Sequence, residues 1–240
     1  MNRVHWSRLV PAWVLLALAA QQSVMAQTSA SGSRLALGAD SLWIYAIRGA
    51  DTVATGQIVE HLMTFTEAGE LRLRRIYVTA DAAMGAEVDS IDDAMADLAP
   101  RRLRVRQRNR DILVRFTGDS AVGYSKNPYQ ASEPVQAVLA PGVIDGFSFD
   151  LYLRASDLAP GRRFDLTGYD ASSRKLTPMS AQVIGEEVVA GVPSWRVRGT
   201  FGAMSVEFWI AKDGRRLRQQ VIYPQPGFGI LFRTEPLRHQ

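Results

Sequence analysis

Between Arg102 and Arg106 charged and apolar side chains alternate one for one, Arg-Leu-Arg-Val-Arg, and a turn at Asn109-Arg110-Asp111 returns the chain into Ile112-Leu113-Val114-Arg115-Phe116. A period of two sends successive side chains to opposite faces of an extended strand. Such a strand is stable where one face packs on a core and the other meets water, which is the condition of an antiparallel sheet. The same pattern recurs along the chain. Residues 41–47, 55–66, 71–79, 102–108, 112–116 and 121–125 read as strands, and 163–168, 179–189, 194–200, 205–211, 216–223 and 228–234 follow later. Turns are marked by Gly49-Ala50-Asp51, Ala68-Gly69-Glu70, Gly191-Val192-Pro193 and Lys212-Asp213-Gly214-Arg215. The expected fold is mainly β: a single antiparallel meander forming a curved sheet, half-barrel or open barrel.

Three stretches depart from this pattern. Residues 81–98 carry Glu87, Asp89, Asp92, Asp93 and Asp97, and read as a long, solvated acidic loop with a short helical turn near 91–98. Residues 127–134 read as a Pro-containing connector. In 143–158 the apolar residues Val143, Ile144, Phe147, Leu151 and Leu158 fall at helical spacing, and Pro160-Gly161 ends the segment, so one short helix is expected there.

The N-terminus reads as a cleavable secretory signal over residues 1–26. Arg3 and Arg8 precede an apolar run from Leu9 to Ala20, and Val24-Met25-Ala26 offers small residues at the cleavage positions. An uncleaved membrane anchor is the alternative; the run is interrupted by Pro11 and is shorter than the ~20 residues a spanning helix needs. A flexible Ser/Thr/Gly-rich lead-in is expected over 27–39 and one β-rich domain over 40–240, exported to the periplasm or envelope of a bacterium, with no transmembrane span after cleavage. The formal charge is +4; losing Arg3 and Arg8 from 28 basic residues leaves 26 against 24 acidic, or +2. So small an imbalance gives no reason to expect nucleic acid as a partner. With no cysteine, disulfides, thiol chemistry and thiolate metal sites are excluded.

The sequence offers no recognisable catalytic constellation. Of three histidines, His5 lies in the signal segment and His239 beside the C-terminus, which leaves His61 as the base of any triad. No Gly-x-Ser-x-Gly elbow accompanies it, and Ser172-Ser173-Arg174-Lys175 offers a Ser-x-x-Lys spacing without the further motifs of that enzyme class. No cofactor, metal site or catalytic residue is therefore expected.

Two faces remain as candidates. Arg102, Arg104, Arg106 and Arg108 fall on one side of their strand, with Leu103 and Val105 opposite; Arg72 and Arg74 repeat this, as do Arg196 and Arg198. Together they form either a surface for an anionic partner or a solvated face whose charge is balanced by acids such as Glu60, Glu70 and Glu186. On the apolar side Trp43, Tyr45, Phe65, Tyr77, Phe116, Trp195, Phe208 and Trp209 are enough to line a ligand pocket or to fill a packed core. A helix over 143–158 could plug the concave side and decide between them.

Three segments carry a family likeness: Leu98-Ala99-Pro100 with the alternating strand after it and the run from Ile112 to Gly123; the run from Asp145 to Arg154 with Leu158-Ala159-Pro160-Gly161; and the hairpin from Phe208 to Leu217. In these the chain resembles a family of bacterial exported β-rich proteins filed as a domain of unknown function. The resemblance implies a sheet similar to the half-barrels of envelope lipoprotein carriers, which hold acyl chains on a concave apolar face. Three functions stay open. The first is non-enzymatic binding of a lipid or other amphipathic ligand, or of an envelope protein. The second is a structural or assembly role through the arginine face. The third is a hydrolase built around His61.

Overall fold

The computed structural model describes residues 30–81, 85–108 and 110–234. The expected signal segment lies outside them. The described residues form one 15-stranded sheet. The first half of the chain gives β1 (Gly38–Arg48), β2 (Asp51–Glu67), β3 (Glu70–Asp81), β4 (Gly85–Ala94), β5 (Pro100–Gln107), β6 (Arg110–Thr117), β7 (Ser120–Lys126) and β8 (Glu133–Val138). After β9 (Ile144–Asp145) comes a short helix, α1 (Phe149–Ala155). The strands then run β10 (Arg163–Asp170), β11 (Lys175–Val189), β12 (Val192–Phe201), β13 (Met204–Ala211), β14 (Leu217–Gln225) and β15 (Phe228–Arg233).

Each strand pairs with its sequence neighbour, with one exception. The order is β8-β7-β6-β5-β4-β3-β2-β1-β15-β14-β13-β12-β11-β10-β9, so first and last strands pair while β8 and β9 do not. The sheet is thus a barrel broken at one seam, and its two free edges are consecutive in sequence. All pairings are antiparallel except β9 with β10. At the seam the β9–β10 edge packs against the inner face of the opposite end: Tyr169 of β10 meets Phe116 of β6 edge-to-face at 6.1 Å, among Leu103, Val105, Ile112 and Val114. Side chains also bridge the gap, Arg174 pairing with Glu133 of β8, and Asn127 donating to the Ser172 carbonyl at 2.8 Å.

Residues 85–94, expected within an acidic loop, are a strand. Three of the four acids in this strand are held by partners from elsewhere in the chain, which charge content alone does not reveal. Asp92 faces outwards and accepts from Arg74 at 2.6 and 2.8 Å; Asp89 faces inwards and accepts from Gln107 Nε2 at 2.9 Å; Asp93 is buried beside Ser148, whose hydroxyl donates to it at 2.9 Å. β8 falls partly in the stretch read as a connector. Pro134 made it look unlike a strand, yet β8 is an edge, where proline's missing N–H is tolerated. The helix occupies only the middle of its expected 143–158. Ile144–Asp145 pair with β10, and the Asp145 carboxylate accepts from Phe147 N at 3.1 Å and holds a 3-10 turn before α1. The lead-in is packed from Ala30 onwards: Ala30 and Leu35 are buried with Leu73, Leu98, Leu151 and Ala155, and Gly32 N donates to the Met95 carbonyl at 2.9 Å.

Helix α1 plugs one end of the interior. Leu151 and Leu153 are fully buried, and Phe149 meets Phe208 edge-to-face at 5.6 Å. Four buried charges fasten the helix to the sheet. Arg75 of β3 makes a bidentate contact with Asp150 (2.7 and 2.7 Å) and donates to Glu60 of β2 at 2.8 Å. Arg154 donates to the same Glu60 oxygen at 2.8 Å and to Asp150 at 3.3 Å. Two guanidiniums and two carboxylates cancel, which a dry interior demands.

Candidate ligand-binding cavity

Above the plug the barrel is hollow. Inward alternation brings Leu42 (β1), Ile58 (β2) and Tyr77 (β3) together with Val206 and Phe208 (β13), Ile222 (β14) and Ile230 and Phe232 (β15) around a cavity of about 790 Å³. Phe147 and Phe149 close its inner end. This is the upper part of the size range typical of small-molecule sites, and apolar lining with a few polar groups is their usual chemistry. The polar groups lie in two places. Asp150 belongs to the neutral network at the base; Glu87, Gln107, Arg108, Arg110, Asp170 and Ser172 lie where the wall includes exposed chain, Arg108 among them.

The electrostatics differ between these regions. Burial raises the carboxyls of Glu60 and Asp150, but the charges and hydrogen bonds of Arg154 and Arg75 outweigh it and leave both below the ordinary range. Near the 3-10 turn the balance reverses. Burial pushes Asp145 up to about 7, and burial with the neighbouring Asp145 charge pushes Asp93 well above the usual carboxylate range. Oδ1 of Asp93 and Oδ2 of Asp145 are buried with no hydrogen-bond partner.

The aromatic set expected on one face divides between two. Tyr77 and Phe208 line the cavity. Phe116 faces inwards but lies in the solid part of the core near the seam. Trp195 packs against the inner cluster, with the Lys212 ammonium 4.3 Å above its ring. Trp43, Tyr45 and Trp209 form a separate outer cluster with Val189, Val221 and Leu231, and Phe65 lies on the outer side beneath the Arg74 guanidinium at 4.2 Å. In Leu42-Trp43-Ile44-Tyr45 both parities are apolar, so the pattern alone does not say which residues face in. Of the cavity residues that carry no sequence signal as a site, Ile222, Ile230 and Phe232 are legible only as strand residues of β14 and β15, and Phe201 falls one residue past the expected end of its strand. Arg75 carried a signal: two adjacent arginines, Arg74 and Arg75, must point to opposite faces of a strand.

The arginine strip is only partly free. Arg74 is bound by Asp92, Arg72 by Glu67 and Glu70, Arg104 by Asp111, and Arg196 and Arg198 by Glu207. Hydrogen bonds from Arg101 and Arg72 draw Glu70 down to about 2 despite some burial. Arg102 and Arg106 are exposed on the outer face. Arg108 lies in the turn after β5 ends at Gln107, and there it lines the cavity. Of the acids expected to balance the strip, Glu70 does so, Glu186 pairs with Lys212, and Glu60 instead points inwards to Arg75 and Arg154. His61 sits between the inward Glu60 and Leu62 and so faces outwards, away from the cavity. Among the described residues no group of three or more His, Cys, Asp or Glu side chains is placed to hold a metal ion, and no helix is long and apolar enough to cross a membrane.

The architecture is shared with a solved structure, a β-barrel-like protein of the domain of unknown function DUF1849 from Brucella abortus. Identity is 10%, the match covers 84% of this chain and 97% of that one, and the TM-score is 0.51, so the likeness is one of fold. A "putative lipoprotein" from Parabacteroides distasonis aligns at 10% identity over 85% of this chain and 98% of its own, with a TM-score of 0.35. No curated protein matches the sequence. Residues 45–226, from the middle of β1 to the turn after β14, match the family described as "Protein of unknown function (DUF3108)", and the chain belongs to that family.

Proposed function

We propose that this is an exported, non-enzymatic protein of the bacterial cell envelope that binds an apolar or amphipathic ligand inside its broken barrel. The observation that carries the reading is the cavity of about 790 Å³, walled by inward apolar side chains, plugged by α1 at one end, with polar side chains, the exposed Arg108 among them, elsewhere on its wall. A barrel of this strand number that served only as a scaffold would gain by filling that space, because unfilled apolar volume costs packing energy. Export rests on the tripartite pattern of residues 1–26.

The test is native mass spectrometry of protein purified from its own envelope, followed by solvent extraction. A co-purifying apolar molecule is expected. Ile222 and Ile230 are half-buried residues of the cavity wall, so Ile222→Trp and Ile230→Trp fill the space with little disturbance behind it. Both variants should fold and should lose the co-purifying mass and the binding of added dodecanol. Wild-type protein that carries nothing and binds no dodecanol would overturn the reading.

A second reading, contact with an envelope protein through the outer arginine strip, is supported by the exposure of Arg102 and Arg106. It expects a co-purifying protein that is lost in an Arg102→Glu/Arg106→Glu variant. Retention of the partner would count against it.

A further inference from the structure

The wall of the cavity is not uniformly apolar, and its cations gather at one place. Gln107, Arg108 and Arg110 line the large cavity and also a second space of about 290 Å³, so the two adjoin through these residues. The smaller space is completed by Asp111, Lys126, Tyr129 and Gln130. It therefore presents three cations and one carboxylate. That carboxylate is already engaged, accepting from the Arg104 guanidinium and from the Tyr124 hydroxyl at 3.3 Å.

Arg110 is the most telling of the three. It begins β6, and its partner across the ladder is Gln107, whose amide is turned to Asp89. Its Nε is buried with no hydrogen-bond partner. A buried donor left unmade is costly, and a guanidinium is shaped to meet a phosphate or carboxylate through two parallel bonds. Glu87 and Asp170 on the larger cavity wall stand against Arg108 and Arg110, and Asp89 lies close enough to feel the Arg110 charge, but none of them meets Arg110 Nε. Asp150 is neutralised by Arg75 and Arg154, Asp170 accepts from Ser172 N and Ser173 Oγ, and Glu87 is buried with a partner of its own.

We propose that the occupant is a single-chain amphiphile with an anionic head group, its chain in the large cavity and its phosphate or carboxylate against Arg108, Arg110 and Lys126. This deepens the cavity reading and rests on it. Chain burial supplies most of the affinity through the hydrophobic effect, and the cationic end chooses among chains of equal length by charge.

The experiment compares dodecyl phosphate, dodecanol, dodecyltrimethylammonium and inorganic phosphate, titrated into delipidated protein below their micelle concentrations and followed by calorimetry. Dodecyl phosphate is expected to bind at least about tenfold more tightly than dodecanol, with the advantage shrinking as salt is raised, and the ammonium amphiphile more weakly than either. In Arg108→Gln/Arg110→Gln the ratio of dodecyl phosphate to dodecanol affinity should fall to about one. Arg108→Glu, at an exposed position that does not threaten the fold, should reverse the preference towards the ammonium compound. Equal binding of dodecyl phosphate and dodecanol would overturn the head-group assignment and leave the cavity reading standing. Binding of neither would overturn both. Inorganic phosphate binding as tightly as dodecyl phosphate would show an isolated anion site and would also overturn the proposal.

Discussion

At the scale of single residues, the interior is governed by where charges find partners. Arg75, 1% exposed, is held by Asp150 and Glu60, and Arg154, also 1% exposed, closes the circuit. Replacing Arg75 by Gln leaves two buried carboxylates facing one guanidinium. The expected loss is about 3–5 kcal/mol of unfolding free energy, read by urea denaturation. Asp145 behaves in the opposite way. Its folded pKa, about 7, lies above its unfolded value, so the folded state holds the proton more tightly and stability falls as pH rises between the two values. In Asp145→Asn the hydrogen bond from Phe147 N can be kept while this titration is lost. The variant should therefore lose less stability than wild type on going from about pH 4 to about pH 8, by an amount on the order of a few kcal/mol. Glu60 and Asp150, whose pKa values are lowered, act with the reverse sign: their contribution is present at neutral pH and fades as acid titrates them. Urea melts of wild type and variant across pH separate the two effects.

At the scale of elements, strands were legible wherever apolar and polar residues alternated, and illegible where another interaction overrode composition. β5 and β6 followed directly from their alternation. β4 did not, because its acids looked solvated and their partners Arg74, Gln107 and Ser148 come from distant parts of the chain. Helix α1 was readable as a helix, but its role as a plug depends on Arg75 and Glu60, which no local pattern connects to Asp150. Leu153 of this helix is fully buried in the main cluster, so Leu153→Ala should cost about 2–5 kcal/mol, measured by chemical denaturation. Close strand approach sets a second test. A Cβ at Gly123 of β7 would lie 1.9 Å from the Leu113 carbonyl oxygen of β6, which is main chain and cannot step aside. Gly123→Ala should lower stability by about 1–3 kcal/mol, visible as a drop in Tm.

At the scale of the whole molecule, the pairing of β1 with β15 and the failure of β8 to pair with β9 make a barrel with one seam. With β9 and β10 packed inside the opposite end, the interior around Phe116 and Tyr169 is solid, while the cavity is walled chiefly by β1, β2 and β13 to β15 and reaches Arg108, Arg110 and Asp170 near the seam. A ligand held only by the folded barrel stabilises it by mass action, by about 2.7 kcal/mol at a free concentration one hundred times its Kd. Thermal scans with dodecanol should therefore show a rising Tm for wild type and no rise for Ile230→Trp. A rise in both would place the bound chain outside the cavity.

By itself the sequence determined that the chain is a meander of antiparallel strands, that cysteine chemistry plays no part, and that a short apolar helix interrupts the strands near its middle. Each of these follows from local periodicity or composition, which neighbouring residues fix among themselves. Tertiary structure alone decided which face of Leu42-Trp43-Ile44-Tyr45 turns inwards, that Glu60 and Arg75 meet α1, and that Arg108 leaves the outer strip for the wall of a cavity it shares with Arg110. Those outcomes depend on closure of the sheet between its first and last strands, a contact between residues nearly two hundred positions apart, and no period of two or of 3.6 carries information over that distance.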